Sequence, residues 1–331
     1  MTGRSIPVLI VLMICILIAG CIQGQGSGKT PLKIVAAGSL LSPFSQIEDR
    51  YEIANPDIDL QVEGHGSIQA IRQVTDLSRP FDVVAVADES LIPDLMYRPS
   101  GEGGKNFTDS YVPFARNEMV IAYTGMSRYH DEINATNWPE ILSRQDVRVG
   151  FSNPMLDAAG YRALMVTMLA EDYYDDQGLF QSVIGNHFNP PLRREKDGVN
   201  LTVRLPEVLR PSSQHVAVRD GSIFLMSLLA AGGIDYAFEY RSVAEAQDFN
   251  YLTLPPEINL AHTGYTDRYE KARVILGFQR FSSIGQERVG RPIVYAMTIP
   301  SNAPHPEEGQ KFIQFIVEQS RIGEKGWPTP L

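Results

Sequence analysis

Apolar and polar positions switch repeatedly along this chain between strand-like and helix-like spacing. Lys33-Ile-Val-Ala-Ala37 is a short apolar run ending at Gly38-Ser39, the pattern of a buried strand entering a turn. Pro43 suits an early helical position, and Phe44, Ile47, Tyr51 and Ile53-Ala54 keep helical spacing until Asn55-Pro56. Ile58-Asp-Leu-Gln-Val62 alternates as a strand and runs into Gly64-His-Gly-Ser67. A helix capped by Ser67 follows through Ile68, Ile71 and Val74, and Phe81-Asp-Val-Val-Ala-Val86 is a further buried strand. This β-α-β-α-β order predicts an open, largely parallel α/β sheet.

A second stretch behaves likewise. Met119–Tyr123, Val147–Gly150, Ile234–Phe238 and Pro292–Ile299 read as strands, and Tyr161–Leu169, Ile223–Ala231 and Lys311–Glu318 as helices. Two α/β lobes with no loose linker are expected, the first from 32–115 and 253–331 and the second from 116–252. Tyr236-Ala-Phe-Glu-Tyr-Arg-Ser242 reads on composition as a crossing between them.

The N-terminus carries an address. Arg4 precedes the apolar run Ile6–Ala19, which has the length of a signal peptide's apolar region and is short for a membrane span. Ile18-Ala19-Gly20-Cys21 resembles a lipobox, in which cleavage exposes a cysteine that then carries lipid. Residues 1–20 are therefore expected to be a signal peptide. Residues 21–31 are expected to be a lipidated Cys21 with a flexible polar tether. The sequons at Asn106, Asn134 and Asn200 are compatible with this exterior location, on the outer face of the cell membrane.

Composition narrows the function. Across 331 residues, 44% hydrophobic and 21% charged argue for a folded body rather than disorder. A formal net charge of −10 disfavours nucleic acid as a partner. Both cysteines, Cys15 and Cys21, precede the folded body, which excludes a disulfide framework and a thiolate metal site there. The six histidines are scattered without zinc spacing, and no GxSxG elbow is present. Ser39 or Ser67 could be drawn with His65 as a triad, but no spacing supports it. No enzyme activity and no cofactor are expected.

Binding chemistry concentrates at strand-to-helix turns. Ala37-Gly-Ser-Leu40 and Gly64-His-Gly-Ser-Ile68 each place a serine where helix N–H groups can face an anion beyond a strand end. Either serine could equally be a plain N-cap. Ser152-Asn-Pro-Met-Leu-Asp157 likewise puts Asp157 at a helix start, where an ordinary capping carboxylate would also sit. Neither GxGxxG nor GxxxxGK[ST] occurs at these turns, which disfavours a nucleotide.

AAGSL at 36–40, NP…D…GYRA at 153–163, DYAFEYRSVAEAQ at 235–247, LPPEINL at 254–260 and PIVYAMTIPSNAP at 292–304 resemble the archaeal tungstate/molybdate-binding proteins. Those are substrate-binding lipoproteins of an ABC importer, and the likeness runs from about Leu32 to Ile316. It implies a type II binding-protein fold, two lobes with largely parallel sheets flanked by helices and one oxyanion in the cleft. It implies contacts at Ser39, Leu40, Ser67, Asp157, Ala158, Ala159 and Tyr240, with Asp157 reaching the tungsten or molybdenum itself. The partners implied are the oxyanion and a membrane permease, and a monomer is expected.

One departure stands out. The resemblance implies a second metal-bound carboxylate 18 residues before the tyrosine, where this chain has Ser222. Ser222 could hydrogen-bond an oxo group instead, and Asp220 could substitute only through a loop shift. Glu239 neighbours Tyr240, but strand alternation is expected to keep the pair from facing one pocket together. The alternatives are a binding protein for sulfate or phosphate and, from another class, a surface phosphoesterase.

Overall fold

A computed structural model describes residues 28–101, 104–277 and 287–331. The segment 1–20, expected to be a signal peptide, and Cys21 lie outside those residues. The first part runs β1 (Thr30–Ala37), α1 (Leu41–Ala54), β2 (Ile58–His65), α2 (Ser67–Thr75), β3 (Val83–Val86), α3 (Leu91–Met96) and β4 (Val112–Asn117). The middle continues β5 (Met119–Tyr123), α4 (Trp138–Leu142), β6 (Val149–Ser152), α5 (Ala158–Tyr174), α6 (Leu179–Val183), β7 (Arg194–Asp197) and β8 (Asn200–Arg204). Then come β9 (Val216–Arg219), α7 (Ser222–Ala230), β10 (Tyr236–Tyr240), α8 (Arg241–Ala246) and β11 (Asn250–Thr253). The chain closes with α9 (Thr266–Tyr269), β12 (Ala272–Ile275), β13 (Glu287–Val289), β14 (Ile293–Thr298), α10 (Pro306–Ser320) and β15 (Thr329–Pro330).

Two sheets carry the lobes. The first has the order β15-β4-β14-β3-β1-β2, the second β11-β5-β10-β6-β9. In the first, β1 lies parallel to both β2 and β3, as the β-α-β-α-β pattern predicts. β1 and β3 are central, and all four residues of β3 and the last four of β1 are buried, which is why Ile34–Ala37 and Val83–Val86 are unbroken apolar runs. α1 presents Phe44, Ile47 and Tyr51 to this core, where Tyr51 meets Phe312 and Phe315 of α10 edge-on. A single residue, Glu118, separates β4 of the first sheet from β5 of the second.

A third sheet, β13-β12-β8-β7, joins the middle of the chain to its later part. β12 and β13, inside the 253–331 segment expected with the first lobe, thus pair with β7 and β8 instead. The reason lies in α5, which is buried from Ala158 through Glu171 and so needs cover on every side. The second sheet packs on it at β5, β6 and β10, and β12 of the third sheet covers it elsewhere. Tyr236–Tyr240, read from sequence as a crossing, is the middle strand of the second sheet, paired with β5 and β6. The passage between sheets falls at Glu118, whose carboxylate receives Asn259 and Arg241.

Candidate functional site

Strand ends and helix starts from both lobes meet in one buried polar cluster. In the first lobe, β1 ends in the turn Gly38–Leu40, and α2 begins at Ser67 after Gly66. In the second, β6 leads through Ser152 to Asp157 at the start of α5, and Ser222 opens α7. Glu239 and Tyr240 end β10, while Tyr295 reaches in from β14. Ser39, Ser67, Asp157, Ser222, Glu239, Tyr240 and Tyr295 are each 5% exposed or less.

Neither serine of the first lobe caps its helix. The residue before α2 is Gly66, so Ser67 is the first helical residue rather than the cap expected from sequence. Its hydroxyl oxygen accepts the Ala87 N–H at 3.0 Å, which leaves the hydroxyl hydrogen to donate. The Ser39 hydroxyl accepts a bond of 3.0 Å from Tyr295, whose own oxygen accepts from Asn117 at 3.1 Å. Leu40 is fully buried, with its side chain in the apolar core behind the turn.

Asp157 departs from an ordinary N-cap as well. Its backbone is extended at φ −133° and ψ 138°, and its side chain makes no cap bond. The carboxyl lies beside the Ser152 hydroxyl and the amides of Ser67, Ala159 and Ala158, while the Ser152 oxygen lacks a well-formed hydrogen bond. Burial raises its pKa, and those four groups only partly oppose the rise. Asp157 therefore faces the helix starts of both lobes without being consumed by either.

Glu239 is the main surprise. Alternation does put it and Tyr240 on opposite faces of β10, yet Asp157 acts on both buried side chains, so both stand near the same cluster. Glu239 is fully buried, one oxygen accepting the Tyr240 N–H at 2.8 Å and the other, Oε2, without a well-formed hydrogen bond. Burial and then the charge of Asp157 push its pKa up to about 8, against the Tyr240 amide and the neighbouring Ser222 hydroxyl. It also acts electrostatically on Tyr295, from the other lobe. Neither Asp157 nor Glu239 has a salt-bridge partner among the described residues. Asp220, by contrast, is exposed and bonded to Asn153, away from the cluster.

The lobes touch closely here. The N–H groups of Ile68 and Gln69 at the start of α2 donate to the Leu156 carbonyl at 3.0 and 3.1 Å. A Cβ on Gly66 would stand 2.4 Å from that same carbonyl, so only glycine allows this approach. Beside it, Arg162 of α5 donates to the Ala87 carbonyl at 2.7 Å and to the Tyr240 hydroxyl at 2.6 Å. Its guanidinium is also 3.3 Å from the Asp88 carboxylate, which accepts the Tyr161 hydroxyl at 2.5 Å. Burial works against the Asp88 charge, but Arg162, Tyr161 and Ser90 outweigh it and hold the carboxyl below its ordinary range. His65, for its part, pairs with Glu63, itself held by Arg79, rather than with either serine.

Two α/β lobes closed over a small buried site of hydroxyls, helix starts and carboxyls define a two-lobed solute-binding protein. The chain belongs to the bacterial extracellular solute-binding protein family, whose profile matches residues 32–325. It is 38% identical to the molybdate/tungstate-binding protein WtpA of Pyrococcus abyssi over 93% of this chain and 87% of that protein. The corresponding protein of Thermococcus kodakarensis is 36% identical over 96% and 86%. A solute-binding protein of Methanococcus maripaludis is 37% identical over 98% and 92%. Among solved structures, the sulfate-binding protein SubI of Mycobacterium tuberculosis aligns with TM-score 0.56 at 13% identity, covering 91% of this chain and 87% of that one. The periplasmic molybdate-binding protein of Azotobacter vinelandii aligns with TM-score 0.53 at 15% identity, covering 86% and 92%. These likenesses establish the type II binding-protein fold expected from the sequence.

Proposed function

We propose that this chain captures tungstate or molybdate outside the cell, between its two lobes, and delivers the oxyanion to an ABC permease. The observation that carries the reading is the pair of buried carboxyls, Asp157 and Glu239, set among hydroxyls and helix starts without a salt-bridge partner. Sulfate has a closed tetrahedral centre and, at neutral pH, no proton to donate, so these carboxyls in their ionised form repel it. A hexavalent tungsten or molybdenum accepts further oxygen ligands, so the same carboxyls become attractive. The names of the relatives from Pyrococcus abyssi and Thermococcus kodakarensis support the same ligand.

In this reading Ser39, Ser67 and Tyr240 serve the oxo oxygens through their hydroxyls, and the amides of Leu40, Ala158 and Ala159 add backbone donors. Asp157 reaches the metal, and Ser222 completes the wall beside Glu239. Oriented N–H groups give local positive potential even in a chain of net charge −10. Ligand contacts from both lobes favour closure, and no resident cofactor is involved. Cys21 would carry the lipid that holds the body, as a monomer, at the outer membrane face. Calorimetry of the full chain in detergent against tungstate, molybdate, sulfate and phosphate tests this. One-to-one binding of the first two alone supports it, and binding of only sulfate or phosphate refutes it.

A further inference from the structure

We propose that Glu239 supplies a metal-binding carboxylate from the end of β10, its Oε2 oxygen joining Asp157 on the tungsten or molybdenum of the bound oxyanion. This rests on the reading of the ligand given above. Buried polar atoms almost always find partners, because an unpartnered one loses its hydration for nothing in return. Glu239 is fully buried, its Oε1 holds the Tyr240 N–H, and its Oε2 has no well-formed bond.

The groups around Glu239 say where that oxygen belongs. Its neighbours are Asp157, the Ser222 hydroxyl and, from the opposite lobe, Tyr295, so it stands in the cleft rather than in the core of one lobe. Two buried carboxyls acting on each other without a salt bridge form an arrangement that hydroxyls alone do not satisfy. An electropositive centre between them does, and it turns mutual repulsion into shared attraction. The Tyr240 amide fixes Oε1 at 2.8 Å, which orients the carboxyl and leaves the free oxygen as the one available to a ligand. Ser222 is too short to provide such an oxygen from the start of α7, and Asp220 points away.

In the binding step the Oε2 lone pair forms a bond to the metal. No metal–oxo bond breaks, nothing is oxidised or reduced, and the carboxyl binds as the carboxylate, its proton released to water, so all four oxo groups remain. Glu239 then discriminates between anions, because its oxygen adds a bond to an expandable metal and can add none to sulfur or phosphorus.

The test is X-ray absorption at the metal edge, with calorimetry, on the full chain in detergent loaded with molybdate or tungstate. The unmodified protein is expected to show four short oxo distances and two longer oxygen ligands. In Glu239→Gln, which keeps an acceptor for the Tyr240 amide, one longer ligand disappears and affinity falls at least about tenfold. A metal bound in the unmodified protein with fewer than two longer ligands overturns the assignment without need of a variant. So does a Glu239→Gln protein with unchanged spectrum and affinity. Either result leaves tungstate and molybdate capture standing. Failure of the unmodified chain to bind either oxyanion removes the functional reading itself, and this assignment with it.

Discussion

Removing the Asp88 charge should loosen the grip of the closed lobes without unfolding either one. Arg162 and Asp88 come from different lobes, with side chains 2% and 6% exposed and 3.3 Å apart. In Asp88→Asn, the guanidinium would remain buried with its bonds to Ala87 and Tyr240 but without its counter-charge. Breaking a buried ion pair from one side costs about 3–5 kcal/mol, because the remaining charge is left uncompensated. Here the chain has a cheaper exit than unfolding, since opening the cleft returns Arg162 to water. The cost therefore falls on the closed state, and asparagine, which still accepts from Tyr161, places it at the lower end. About 3 kcal/mol corresponds to a weakening of ligand affinity by roughly 10²-fold. The assay is calorimetric titration with tungstate, paired with thermal melting of the ligand-free protein. Affinity should collapse while the ligand-free melting temperature moves little. A large loss of melting temperature with affinity unchanged within about threefold would show that the pair is static core packing, and would refute the reasoning.

Four further expectations follow from the same geometry. Gly66→Ala places a methyl group 2.4 Å from the Leu156 carbonyl, so small-angle scattering with saturating tungstate should show an extended, open particle; a compact one would contradict the interlobe contact. Asp157→Ala should weaken tungstate binding more than any residual sulfate binding, and equal losses in parallel titrations would remove Asp157 from selectivity. Tyr295→Phe strips the donor from Ser39 and an acceptor from Asn117, and should cost about 1–3 kcal/mol of ligand affinity or melting stability; an unchanged protein in both assays would show that this hydroxyl carries nothing. His215 stacks on His187 at 3.8 Å, and burial followed by the His187 charge lowers its pKa to about 4 from 6.5. Between those values the unfolded chain binds more protons, so stability is present above pH 6.5 and is lost as pH falls toward 4, by up to about 3 kcal/mol. In denaturant titrations across that window His215→Gln should show a shallower decline than the unmodified chain, and parallel curves would count against the linkage.

The sequence disclosed the first lobe more readily than the cluster between the lobes. The strands read at Lys33–Ala37 and Phe81–Val86 are legible because their stretches Ile34–Ala37 and Val83–Val86, fully buried, are apolar throughout. β7 reads Arg-Glu-Lys-Asp and β11 Asn-Tyr-Leu-Thr, and such short, half-exposed edge strands leave no periodic trace. Asp157 was visible because it follows a strand and opens a helix, although composition could not say that it leaves its cap unformed. Glu239 was set aside by an alternation rule that does separate it from Tyr240 across the strand, but the rule says nothing of Asp157, which acts on both. Tyr295 lies inside a run that reads only as buried strand, and nothing in its spacing marks a hydroxyl bound for Ser39. The Arg162–Asp88 pair joins segments 74 positions apart in chain order, which no local pattern connects. An arginine in the otherwise apolar face of α5 was the one signal that it needed a buried partner.

The central claim is that a cleft walled by two carboxyls selects a metal oxyanion over a non-metal one. Competitive calorimetry on the full chain in detergent tests it most directly, titrating tungstate into protein already saturated with sulfate at high concentration. The account predicts tight one-to-one tungstate binding, undiminished by sulfate. Sulfate that binds on its own and displaces tungstate would contradict it, because Asp157 and Glu239 could then be serving no metal.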